Sequence, residues 1–558
     1  MRLNTSIRLF VLAAVLPLVP PGVLLSQSAT EGAISGTVTD ASNAVLANTA
    51  VTLKNLDKGY SRQTSTNAQG IYQFPLADPG NYEVVIAAAG FKQFGSKAAV
   101  NVGQVTVVNA KLEVGAAGTT VEVSASAPLM DTEAADMSTS FDRNLVENLP
   151  NGGNDLTAVA YTAPGIVMNS GGMYGNFTAN GLPATSNVFT VDGENQMDPF
   201  LNLNNSGPTN LMLGKNSIDE ATVVTNAYSG QYGQQAGAQV NLVSKGGTNN
   251  YHGNVQYQWT GRLLDANDWF NTFFQPQQPR PFANNNQWAA SFGGPIKKDK
   301  TFFFIDTEGI RYIVPSTTTV YTPTTAFLND TVNIGLPAAG ASAATIATYG
   351  KAAAIWEAAP GFKNGAAIAA SQSCIDPLTG AQIDNGPTAT ATTGCLQSYS
   401  ASPALPAKET LLIGRFDQNF GTKDRLFFRF DIDTGTQATY ADPIDPAAFS
   451  AASYQPEYNN SLNWSHTFSG SASNQFVAAV SYYRAIFIEN TNQATSPFPY
   501  AMFVGTTVGV SSPFGLPSAT GLNAENFAFP QGRNVTQSQL VDDFAKTLGT
   551  SPTMTLLN

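Results

Sequence analysis

Charge is scarce in this sequence. Asp, Glu, Lys and Arg make up 12% of its 558 residues, against roughly a quarter in ordinary soluble domains. The mean hydropathy is nonetheless only −0.08, because Asn, Gln, Ser, Thr and Gly stand where charges usually do. That combination suits a secreted or outer-membrane β-protein. The few charges sum to −12, with a pI near 4.7, which argues against a nucleic-acid partner, since such partners select basic surfaces. Histidine is nearly missing, with only His252 and His466. No HExxH, GxSxG or P-loop spacing occurs, and neither cysteine lies near a histidine in sequence. The common hydrolase and nucleotide-dependent chemistries therefore have no carrier, and neither an enzyme, a cofactor nor a metal site is expected. Cys374 and Cys395 are the two cysteines, without a CxxC, in a Gly/Thr/Asp-rich stretch that reads as a loop. In an oxidising compartment a disulfide between them would close that loop for about 3 kcal/mol. Two free thiols are the alternative, and spacing does not decide between them.

Long apolar runs are also missing, apart from Leu9 to Leu18. Arg2 and Arg8 precede that run, and Pro17, Pro20 and Pro21 break it. Small residues follow at Ser26-Gln27-Ser28 or Gln27-Ser28-Ala29. Residues 1–28 thus read as a secretory signal peptide, too short and too broken for a membrane span. Nothing later approaches a transmembrane helix, so entry into a membrane requires a β-barrel.

What the sequence does contain is alternation. From Asn254 onward, Val255, Tyr257 and Trp259 fall on one side, and Asn254, Gln256, Gln258 and Thr260 on the other. That is a strand with a greasy aromatic face and an amide face. A soluble sandwich would turn the greasy face inward, and a membrane barrel would turn it toward lipid. Strands are expected near 252–262, 285–296, 300–312, 409–420, 424–434, 458–468, 474–486 and 536–547. The connections between them are alternately short and long, as in an up-and-down meander with a periplasmic and an extracellular rim. This pattern favours lipid against Val255, Tyr257 and Trp259.

Upstream, residues 29–115 carry short strands with turn signals every eight to twelve residues, the mark of a β-sandwich. Gly36, Val38, Asp40, Gly70, Tyr72, Phe74, Pro79, Gly80, Tyr82, Gly90 and Phe91 resemble the carboxypeptidase regulatory-like domain. The resemblance implies a transthyretin-like, carbohydrate-binding-like module without catalytic groups. Asn43 stands where that family has Gly, and Asn tolerates positive φ. Residues 116–250 carry Leu149-Pro150, Pro164-Gly165, Asn180-Gly181, Val191-Asp192-Gly193, Tyr228-Gly230-Tyr232-Gly233 and Gly246-Gly247-Thr248-Asn249. Together these resemble the plug of TonB-dependent outer-membrane transporters of the Oar-like subgroup, and residues 288–311 resemble that subgroup's barrel. One short helix is expected from Asp155 to Tyr161. The fold class is therefore mainly β: a small sandwich, an α/β plug, then an incomplete, open transmembrane antiparallel barrel over 251–558.

The resemblance also implies site residues and partners. Val121, Glu122, Val123, Ser124 and Ala125 resemble a TonB box, an extended segment able to add to a partner's sheet edge. A last strand of the sandwich, or a plain linker, is the alternative. Asp192 either ties the plug to the barrel wall or only forms a tight turn with Gly193. Asp431 and Asp433 hint at calcium, but lumen-facing positions beside Arg429 explain them better. The implied function is plug-gated, TonB-driven passage of an unidentified small-molecule, peptide or glycan substrate across the cell outer membrane. The implied partners are a periplasmic TonB complex and outer-membrane lipid, with sandwich and plug on the periplasmic side. An adhesion protein is the alternative, with Tyr60, Tyr72 and Tyr82 stacking on sugars. The resembled family closes about 22 strands around its plug. Eight are expected here, so an open sheet within a longer protein is the further expectation.

Overall fold

The computed structural model describes residues 30–546 except 116–119, 125–136, 150–153, 169–176, 205–206, 227–232, 234, 274–276, 278–279, 281, 314–317, 339, 368–395, 402–404, 441–449 and 490–530. The expected signal peptide, Cys374 and Cys395 lie outside the described residues.

The first unit is a two-sheet sandwich. One sheet holds β1 (Gly32–Asp40), β4 (Ile71–Ala77), β7 (Val105–Val107) and β8 (Ala110–Leu112). The other runs β3 (Ser61–Ser65), β2 (Ala50–Asn55), β5 (Gly80–Ala87), β6 (Gln93–Val100) and β9 (Thr120–Ser124). Strict alternation in β1 and β5 sends Ile34, Val38, Val84 and Ile86 into one core with Val51, Leu53, Tyr72, Phe74 and Tyr82. The turn after β1 needs a left-handed residue, and Asn43 supplies it at φ 68.

The second unit is a five-stranded mixed sheet. It runs β10 (Met137–Phe141), β17 (Ile218–Asn226), β18 (Gln239–Ser244), β13 (Val188–Val191) and β14 (Glu194–Asn195). Two small ladders flank it: β11 (Ile166–Met168) with β12 (Phe177–Ala179), and β15 (Met197–Asp198) with β16 (Leu203–Asn204). The expected helix is a 3-10 helix over Leu156–Thr162, capped by Asp155, whose carboxylate accepts from Thr157 N. β18 is buried at every position, with Val240 and Leu242 in this unit's own core and Ser244 against Arg415 of the third unit.

That third unit is a nine-stranded antiparallel sheet. It contains β19 (His252–Gly261), β20 (Asn284–Lys297), β21 (Thr301–Ile313), β25 (Pro406–Phe420), β26 (Asp424–Tyr440), β27 (Ala451–Tyr454), β28 (Glu457–Ser469), β29 (Ala472–Glu489) and β30 (Gln531–Lys546). Turns at 298–300, 421–423 and 470–471 form one rim. In β28, Glu457, Asn459, Ser461, Asn463 and Ser465 are buried on the inner face, while Tyr458, Leu462 and Trp464 are exposed on the opposite face. Val255, Tyr257 and Trp259 share that outer face and are exposed, as a lipid-facing band requires. Among the described residues β19 and β30 do not pair with each other, and the sheet is open.

Three expectations need correction. β26 and β29 run on to Tyr440 and Glu489, and β27 forms a ninth strand inside an expected loop. Their extensions are rich in Thr, Gly, Gln and Ala, which weakens the apolar half of the alternation. The long stretch after β21 is not all irregular. It holds a helix at Ala343–Ala358 and a small sheet of β22 (Thr318–Pro323), β24 (Leu396–Ala401) and β23 (Ala366–Ala367). Alanine is the commonest residue of that helix and the strongest helix former.

Candidate functional site at the plug and its wall

The site starts from a register problem. Arg415 of β25 and Arg429 of β26 lie directly opposite each other, on the inner face, and both are buried. Like charges so placed repel, and buried arginines need counter-charges. The plug brings them. Asp192 and Gly193 turn the β13–β14 hairpin with φ 51 and φ 80, a two-residue connection with both central residues left-handed. This turn pushes Asp192 into the wall, where it is 0% exposed. Its carboxylate lies 3.1 Å from Arg429 Nε and 3.6 Å from Arg415 Nη1. It also accepts from Ser244 N at 2.9 Å and Ser244 Oγ at 2.6 Å. Two residues on, Glu194 meets Arg429 at 2.5 Å. Burial pushes the Glu194 carboxyl above the usual range, and Arg429 draws it back. Arg415 also pairs with Asp417 at 2.9 Å and sits 3.7 Å from the Phe427 ring centroid. Asp192 is thus at once the turn residue and the tie to the wall.

A second set of ties runs the other way, from wall carboxylates to backbone and side-chain donors of the plug. Glu308 accepts from Asn216 N at 2.7 Å and Gly214 N at 3.1 Å. Asp306 accepts from Asn216 Nδ2 at 2.6 Å. Glu409 accepts from Thr209 N at 2.9 Å and Thr209 Oγ1 at 2.5 Å. Arg533 of β30 pairs with Asp198. Leu213 fills a small apolar cluster with Ile310, Leu411 and Ile413 of the wall. Sequence reading missed Glu308, Glu409, Arg415 and Arg533 as wall contacts. The signal was present, because a charge in a membrane strand belongs on the lumen face. Asp431 lies 3.6 Å from Arg429 Nη1. Asp433 is buried beside Glu409, close to Gly207.

Of the other expected residues, Asn180 (φ 51) and Gly181 (φ 81) form a turn, and Asn180 Nδ2 donates to Thr225 O at 2.7 Å. They brace the plug and do not reach Asp192's ion pairs. Val121, Glu122, Val123 and Ser124 form most of β9, which pairs in parallel with β6, Val121 opposite Phe94 and Ser124 opposite Lys97. Ala125 lies outside the described residues. The tyrosines do not make a sugar platform. Tyr60, Tyr72 and Tyr82 are 9%, 1% and 0% exposed. Tyr60 and Tyr82 hydroxyls meet at 2.9 Å, and Tyr72 donates to Val108 O at 2.7 Å. Among the described residues the exposed large hydrophobics of the sandwich are Val45, Leu56 and Val114, none aromatic. The adhesion alternative loses its motivating feature. His466 lies between Trp464 and Phe468 on the outer face and bonds Asp424 at 2.6 Å. His252 stacks on Phe304.

Residues 243–552, more than half of the chain, match the outer membrane beta barrel domain. The chain belongs to that family. Residues 33–113 match the carboxypeptidase regulatory-like domain. A curated relative, the TonB-dependent transporter Oar of Myxococcus xanthus, is 28% identical over 296 residues, covering 50% of this chain and 26% of that protein. The chain therefore spans about a quarter of the length of the curated relative it matches. Solved structures similar to it include the transporter YddB from Escherichia coli, at TM-score 0.39 and 10% identity over 63% of this chain and 40% of that one. The siderophore receptor PirA from Acinetobacter baumannii gives TM-score 0.38 and 12% identity over 72% of this chain and 44% of that one. FpvA of P. aeruginosa gives TM-score 0.39 and 12% identity over 75% and 50%. As a member of the barrel family the protein resides in the cell outer membrane, with its alternating strands against lipid.

Proposed function

We propose that this outer membrane beta barrel protein is a plug-gated transporter or receptor. It takes up a small molecule, peptide or glycan and draws its energy from a TonB complex in the periplasm. One observation carries the reading: a separately folded unit sits against the inner face of the sheet, held by buried ion pairs between Asp192 and Glu194 and the paired arginines Arg415 and Arg429. Such ties hold a plug against the wall, and the plug keeps a hydrophobic core of its own that can move as a unit. Val121–Ala125 is the TonB box of this reading. The extended backbone of β9 at a sheet edge suits it to strand addition.

The test is uptake of labelled candidate peptides and oligosaccharides by cells with and without the gene, each with and without a protonophore. Energised uptake is expected to vanish with the gene and with the protonophore. Val123→Pro removes a backbone donor and blocks strand addition. It is expected to leave assembly and binding intact while transport falls to the deletion level. Wild-type transport by Val123→Pro sinks the box assignment, and protonophore-insensitive uptake sinks the energy coupling.

A further inference from the structure

The sandwich is not a free appendage. It is seated on the short-turn rim of the barrel sheet, and polar residues make the seat. Arg425, the second residue of β26 after the turn at 421–423, reaches Asp78 at 2.6 Å and Glu31 at 2.7 Å. It also donates to the carbonyl of Leu76 at 2.5 Å. Lys58 bridges Asp78 at 3.1 Å and Asp417 of the wall at 3.5 Å. Arg62 donates to Thr467 Oγ1 at 3.1 Å. Asn249, in the connector between plug and β19, donates its backbone N–H to Asp57 O at 2.9 Å. The sandwich touches the plug as well, where Val102 N donates to Glu220 at 3.0 Å.

Two features show what kind of joint this is. The sandwich and plug have separate hydrophobic cores, and their common boundary with the barrel encloses a polar cavity of about 430 Å³. A polar, ion-paired joint between two independent cores can part without unfolding either side, unlike a shared apolar core. In addition, β9 is the edge strand of the sandwich sheet, so a pull on residues 121–125 acts first on the sandwich.

We propose that the sandwich is a second gate, latched over the periplasmic mouth by Arg425 and Lys58, and that it undocks as a rigid body before the plug moves. This rests on the TonB-driven reading above. With the sandwich docked, displacement of the plug alone leaves the periplasmic exit covered.

The docked geometry provides its own probe. A Cβ placed on Gly470 would stand 3.9 Å from Thr64 Cβ, inside the disulfide range of roughly 3.5–4.5 Å. The experiment is oxidative cross-linking of the full chain carrying Thr64→Cys and Gly470→Cys, in isolated outer membranes and in cells. In isolated membranes the pair is expected to close rapidly and nearly completely, and failure to close overturns the docking. Adding Arg425→Gln is expected to slow closure several-fold. Lys92→Gln, which removes only the exposed pair with Glu113, should leave it unchanged and controls for folding. In energised cells closure is expected to run several-fold slower than in protonophore-treated cells. Equal rates in the two conditions overturn the gate, even where labelled uptake remains protonophore-sensitive. If the energy dependence survives Val123→Pro, the gate stands and the box assignment fails.

Discussion

Arg429 is the residue on which the plug contact turns. It is 1% exposed and serves Asp192 and Glu194 together. Removing one partner of a buried ion pair leaves an uncompensated charge, at a cost of about 3–5 kcal/mol. Arg429→Met should therefore loosen the hairpin at Asp192 and Gly193, read as lost hydrogen-exchange protection from Val188 to Asn195. Asp192→Asn in the same chain should restore part of it, and strictly additive losses would show that the pair is not coupled. Glu220 tests a different physical effect. It is 4% exposed, and burial pushes its carboxyl up to about 8, against the opposing bond from Val102 N. A carboxyl raised on folding keeps its contribution below the unfolded value of 4.5. That contribution is then lost as pH climbs through about 8, by at most about 1.4 kcal/mol per pH unit. Protection of the Val102 amide, corrected for intrinsic exchange, should thus fall between pH 5 and pH 9. In Glu220→Gln it should stay nearly flat, and a parallel fall in both proteins would remove Glu220 as the cause.

The strand is the scale at which most of this molecule was legible. Period-two alternation is a local property, so β1, β19, β20 and β21 stood out from their own residues. The turn at Asp192-Gly193 was equally plain. Its contact with Arg415 and Arg429 was not, because nothing local links a plug hairpin to strands more than two hundred residues away. β27 and the long ends of β26 and β29 were missed where small and polar residues dilute the apolar face. The helix at Ala343–Ala358 escapes a periodicity reading because its alanines fall on every side and leave no apolar stripe. The lipid reading of the outer face makes a direct claim. Leu462 is exposed midway along β28, between Tyr458 and Trp464. An arginine near the bilayer midplane costs roughly 2–4 kcal/mol, whereas one on the inner face does not. Leu462→Arg should therefore lower recovery of folded protein from lipid vesicles well below that of Gln256→Arg, which puts the arginine at an exposed position on the inner face of β19. If the two variants insert equally, that face is not in lipid.

At the scale of the whole molecule, the sheet curves round the plug without closing among the described residues. β20 and β29 are paired on both sides, while among the described residues β19 and β30 are each paired on one side only. Water satisfies such an edge in a soluble protein, but hydrocarbon does not, and each unmet group there costs several kcal/mol. β30 shows the same condition in its side chains, with Gln531 to Lys546 more exposed than the strands inside the sheet. The plug does not relieve this, because Asp198 and Arg533 tie it to the inner face of β30 and not to its edge. Closed outer-membrane barrels resist dodecyl sulfate until heated, since every backbone group is paired within the ring. A sheet whose β19 and β30 edges stay unmet should therefore migrate identically on gels with and without boiling. A heat-dependent shift of this protein would mean that both edges are met in the membrane, by strands outside the described residues or by each other, and the latter would leave a ring of nine strands with little room for the plug that lies against its concave face.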